Sequence, residues 1–121
     1  MKTNEGLFRL RQVANQFIKE RTRQEDVAFR RTPMVAASFI RKASGACYLS
    51  ASIKGESRHR YVRKADEEYW KKRARQWREF SKAMAKWVRL NKEIEIKLRQ
   101  IGRLRCESLP KGIKGDRDGS S

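Results

Sequence analysis

Residues 66–101, DEEYWKKRARQWREFSKAMAKWVRLNKEIEIKLRQI, run for 36 positions without a glycine or proline. Trp70, Trp77, Met84, Asn91 and Leu98 recur every seven residues. Phe80, Trp87, Ile94 and Ile101 form a second series, three residues after members of the first, with the polar Arg73 opening it. This is a heptad with its a and d positions filled. It predicts one long helix over 66–101, a rod of roughly 54 Å at 1.5 Å per residue. Asp66, Glu67 and Glu68 open it, where the positive end of the helix dipole favours carboxylates. Gly102 is expected to begin the exit. Aromatic side chains at helical spacing are core positions before they are stacking platforms, so the nine a and d residues are assigned to helix packing. Asn91 stands alone among the apolar a positions, and two readings of it stay open. It fixes register and oligomeric state in a seam between chains, or it faces solvent or caps a hairpin carbonyl in a monomer whose second helix comes from residues 4–32.

The back of the same helix carries a different pattern. Of its ten b and f positions, Lys71, Arg75, Arg78, Lys82, Arg89, Lys92, Arg99 and Arg103 are basic and none is acidic; Ala85 and Ile96 complete the row. Glu79 and Glu93 fall at c, beside the row. A solvated helix back ordinarily mixes both signs. Segregation of one sign suits a track for a phosphate backbone, where each neutralised phosphate releases counterions.

Upstream, Cys47, Leu49, Ala51 and Ile53 alternate with Tyr48, Ser50, Ser52 and Lys54, the period of a half-buried strand. Lys54-Gly55-Glu56 is a tight turn, and Arg58 to Arg63 returns as the partner strand. A lone hairpin is marginal in water, so it needs a helix or a further strand, expected over 34–40, to pack on. Arg58, Arg60, Arg63 and Lys64 with Tyr61 interleaved suit backbone contacts and stacking on unpaired bases; the plainer reading is a sheet edge guarded by charge. Further upstream, Leu7, Leu10, Ala14 and Phe17 mark one face of a helix over about 4–32. Asn4 is its expected N-cap and Pro33 its stop.

The chain has 121 residues and a formal net charge of +17, with 31 Lys and Arg against 14 Asp and Glu. The balance is +4 over residues 1–33, +6 over 34–64, +7 over 65–105 and zero over 106–121. The basicity therefore belongs to the foldable body, unlike that of a disordered basic arm. Such a charge favours polyanionic partners, nucleic acid first, and argues against a mimic of DNA. Residues 106–121, rich in glycine and nearly without apolar side chains, are expected to be a disordered tail. The longest stretch without charge, Ala43 to Ile53, has eleven residues, far short of the roughly 20 a membrane helix needs. Two cysteines and one histidine cannot build a closed zinc site. Cys47, His59 and Cys106 supply no spaced nucleophile, base and orienter. No metal, cofactor or catalytic residue is expected, and the two thiols suit a reducing, cytoplasmic setting.

Gly45-Ala-Cys-Tyr48-Leu-Ser and Gly55-Glu-Ser-Arg58-His-Arg-Tyr-Val-Arg-Lys64, with Glu67-Glu68, the Trp77 region and Leu90-Asn91, resemble an uncharacterised family of small basic bacterial proteins. Its members carry a Gly-Pro-Tyr-type strand, a hairpin ending in Arg-Tyr-Val-Pro-Lys and one long helix, and often stand beside mobile elements. The resemblance covers about residues 45–101. Here Ala46 and Arg63 replace the two prolines, and residues 40–45 lack the cysteine cluster found before the hairpin in that family. A metal site implied by the resemblance does not carry over. Together the residues predict a single α+β domain over 1–105. The expected function is that of a non-enzymatic accessory protein binding nucleic acid, with RNA or structured or single-stranded nucleic acid favoured because no duplex-reading module is visible. A larger nucleic-acid enzyme or ribonucleoprotein is the expected setting. The alternative is a coiled-coil adaptor or homo-oligomer docking on an acidic protein.

Overall fold

The computed structural model describes residues 2–112. The order is α1 (Lys2–Ala28), β1 (Ser38–Arg41), β2 (Cys47–Ile53), β3 (Glu56–Val62), a 3-10 turn (Lys64–Asp66) and α2 (Glu67–Arg105). This is the expected α+β arrangement, with one three-stranded antiparallel sheet in the order β1-β2-β3. α2, 39 residues long, is the spine. Its first half lies under the sheet and its second half lies antiparallel to α1, as Trp87 to Glu25 and Asn91 to Arg21 contacts show.

Several boundaries differ from expectation. α2 continues through Gly102 to Arg105, where the Cys106 amide closes the last turn on the Gly102 carbonyl (3.1 Å). A single glycine costs a helix only about 1 kcal/mol, and Leu104 extends the packing against Gly6. α1 starts at Lys2, so Asn4 lies inside the helix and not at its cap. It ends at Ala28 rather than near residue 32, because Arg30 and Thr32 turn back to Glu79 (2.7 Å) and Gln76 (2.8 Å) on α2. β1 begins at Ser38, where pairing with Ser50 starts; residues 34–37 cross α2 instead, with the Val35 amide on the Arg73 carbonyl (3.1 Å). Of the expected tail, residues 106–110 form no regular element, and 113–121 lie outside the described residues.

The hairpin turn needs left-handed backbone at both central positions, Lys54 (φ 52°) and Gly55 (φ 83°), the form that matches strand twist. The hairpin is anchored at the other end, where Cys47 and Val62 pair and are buried.

Two small cores result. Ala37, Cys47, Val62 and Ala74 are buried where the sheet meets α2, and Ala14, Ala83, Leu90 and Ile94 are buried where α1 meets it. Among the described residues no aromatic side chain is fully buried. Trp70, Trp77, Phe80, Trp87 and Ile101 are half-buried and Ile94 is buried, in keeping with packing roles. The a series beyond Trp77 departs from them: Met84, Asn91 and Leu98 are exposed. The seam against α1 is built from the d series and from Ala83 and Leu90, one residue before each a position. A straight helix drifts from a seven-residue repeat by about 20° per heptad, and the small Ala83 lets α1 approach closely on that side.

Candidate nucleic-acid interface

The stripe on α2 exists as a surface. Lys71, Arg75, Arg78, Lys82, Arg89, Lys92, Arg99 and Arg103 are all exposed, because the helix buries other sides, at Ala74 against the sheet and at Ala83, Leu90 and Ile94 against α1. Their state of neutralisation divides them. Lys92 (3.4 Å) and Arg99 (2.8 Å) both pair with Glu95. The Arg99 hydrogen bond, with Lys92 adding charge, holds the Glu95 carboxyl below its ordinary range. Lys71, Arg75, Arg78, Lys82 and Arg89 have no carboxylate partner among the described residues. Glu79 is turned away to Arg30 (2.7 Å). The unneutralised part of the stripe thus spans Lys71 to Arg89, roughly 27 Å of helix. Arg103, past the neutralised segment, also lacks a carboxylate partner there.

The sheet adds a wall to one end. Lys71, Arg75 and Arg78 face Ala37, Ser38 and Phe39 across an open cleft of about 230 Å³. Phe39 therefore joins the basic end of the stripe. Sequence reasoning missed it because only the cross-strand register, Phe39 opposite Leu49, fixes which way β1 presents it.

The hairpin residues do not form one surface. Directly paired residues share a sheet face, so Arg58 and Arg60, opposite Ala51 and Leu49, belong to the face that Cys47 and Val62 turn to α2. Tyr61 pairs with Tyr48 on the opposite face. There the two rings meet edge to face at 5.7 Å, and the Lys42 ammonium sits 4.4 Å from the Tyr48 ring centre. The alternation of the strand held this signal. Arg63 is tied to Asp66 (3.0 Å) and Arg58 to Glu56 (3.1 Å). Arg60 and Lys64 are exposed and, among the described residues, unpaired with any carboxylate. Arg73, the polar residue in the first d position, lies with its guanidinium 3.6 Å from the Tyr69 ring centre and donates to the Tyr69 carbonyl (3.3 Å).

Cys47 is wholly buried, and burial, with the Glu67 carboxylate beside it, pushes its thiol above the ordinary range. Such a thiol is a poor nucleophile. Among the described residues no group of three His, Cys, Asp or Glu side chains is placed to hold a metal ion, and no helix is long and apolar enough to cross a membrane. No family model, curated protein or solved structure matches the chain.

Proposed function

We propose that this chain is a non-enzymatic accessory protein that binds nucleic acid by its phosphate backbone, through Lys71, Arg75, Arg78, Lys82 and Arg89. One observation carries the reading: five cations without carboxylate partners among the described residues stand in a single exposed row, in a chain of net charge +17. Each gains more from a phosphate than from water, since contact releases condensed counterions. RNA or single-stranded nucleic acid is favoured within this reading, supported by the Tyr48–Tyr61 pair on the solvent face of the sheet, where unpaired bases can stack. The buried, unreactive Cys47 supports a binding rather than a chemical role. A cytoplasmic setting, beside a larger nucleic-acid enzyme or a mobile element, belongs to the same proposal and draws support from two unpaired thiols.

The test is fluorescence anisotropy with single-stranded and duplex oligonucleotides over a salt series. Replacing Arg78, Lys82 and Arg89 with Ala is expected to lower the slope of log affinity against log salt by about two to three. The loss should be alike for unrelated sequences, because backbone contacts position without specifying. Replacing Lys92 and Arg99 instead is expected to cost less, since Glu95 already neutralises them. Wild-type binding by the Arg78→Glu, Lys82→Glu, Arg89→Glu variant would exclude the stripe and leave the adaptor reading, which rests on the exposed apolar side chains of the helical hairpin.

A further inference from the structure

α1 and α2 form a two-helix layer, and one side of it is open. Phe29, Met84 and Leu98 are 79%, 48% and 58% exposed on that side. Two hollows lie along it. One, of about 240 Å³, is lined by Phe29, Phe80, Met84 and Trp87, and its one charged residue is Glu25. The other, of about 400 Å³, is lined by Leu7, Ile18, Leu98 and Ile101, and its charged residues are Arg11 and Arg105. Large apolar side chains left exposed side by side on a strongly charged chain make this face a candidate interaction site.

We propose that this face binds a second copy of the same chain, closing an antiparallel four-helix bundle. Charge complementarity selects the occupant. The face carries one carboxylate at one end, Glu25, which Arg21 of the same helix approaches only at 3.9 Å, and two guanidiniums at the other, Arg11 and Arg105, without carboxylate partners among the described residues. Two copies packed layer on layer can be related by a two-fold axis along the helices or across them. The first sets basic end on basic end. The second exchanges the ends, so that Glu25 of each copy meets Arg11 of the other.

The spacing fits that second axis. Arg11 and Glu25 are each seven residues from Ile18, and Met84 and Leu98 are each seven from Asn91. Ile18 and Asn91 lie at nearly the same level of the hairpin. The Arg21 guanidinium donates to Asn91 Oδ1 at 2.7 Å, and the Trp87 indole donates to Glu25 Oε2 at 2.8 Å. An axis through that level sets Ile18 on Ile18, Asn91 on Asn91 and Met84 on Leu98, the self-complementary pattern of an isologous interface. Asn91 then serves as the polar residue that fixes the register. The face is also independent of the stripe, whose b and f positions lie about 100–140° around α2 from the a row.

Sedimentation equilibrium of the full chain is expected to give a dimer. Arg11→Glu and Glu25→Arg should each give a monomer, since each sets like charges together twice. Mixing the two variants should restore a dimer, because every contact of the mixed pair is again between opposite charges. Arg11 and Glu25 are about 21 Å apart on one helix, so such rescue has no route within one chain. In a Cys106→Ser background, Asn91→Cys should oxidise to a cross-linked dimer, a readout that does not depend on charge. A wild-type monomer, or a dimer in which Asn91→Cys fails to cross-link and mixing fails to rescue, would overturn the proposal. A wild-type monomer that is joined by an acidic helical protein would assign the face to that class of partner instead.

Discussion

Glu67 ties the first turn of α2 to the sheet through Arg41 (3.1 Å) and stands beside the buried Cys47. The Arg41 hydrogen bond, helped by the Cys47 thiol and the charge of Lys64, holds its carboxyl below the ordinary 4.5. Glu20 is lowered in the same direction, first by Gln24 and then by Lys86. A carboxyl whose folded pKa is depressed adds stability that is fully present above its unfolded value and is lost as pH falls through the folded one. The melting temperature, followed by circular dichroism, is therefore expected to fall as pH drops below about 4.5, and Glu67→Gln should flatten part of that fall. The thiols separate as sharply. Cys106 is exposed and Cys47 is not, so a thiol reagent should modify Cys106 at once in the native protein and Cys47 only after denaturant is added. Burial of Cys47 was legible from its place in the strand alternation; its carboxylate neighbour was not, because Glu67 is twenty residues away in sequence.

At the scale of the element, the instructive case is the face of α2. Its length and its two-sided character are written in the residues, as is the hairpin, whose turn carries the one glycine that its backbone requires. Which apolar column meets α1 is not local information. Leu90 and Met84 look equally fit for a seam, and the decision rests on how closely α1 approaches at Ala83. Leu90→Ala is accordingly expected to cost about 2–4 kcal/mol in urea unfolding, as buried leucine truncations do. Val88→Ala, at an exposed position, should stay within about 0.5 kcal/mol. Lys54 holds a left-handed backbone that asparagine adopts more readily, so Lys54→Asn should raise the melting temperature slightly, and Gly55→Ala should lower it.

At the scale of the molecule, the charge balance of +17 is written in the residues, and the row of eight basic residues is countable from the heptad alone. Which of them are unneutralised was not, since it depends on where Glu79 and Glu95 turn, and Arg30, which draws Glu79 away, lies 49 residues from it. The same long reach governs how the chain comes together. Gly6 packs against Leu104, so the start of the first helix finds its partner only in the last turn of α2. At roughly 5–20 residues per second, synthesis of α1 is complete about 4–15 s before Leu104 is made. Through that interval its apolar stripe stands uncovered, and the hairpin, complete soon after Val62, has no spine to lie on. Pairing of the two helices therefore waits until most of α2 is made, and a nascent chain stalled before Leu90 should be protease-sensitive and held by chaperones where the folded protein is not.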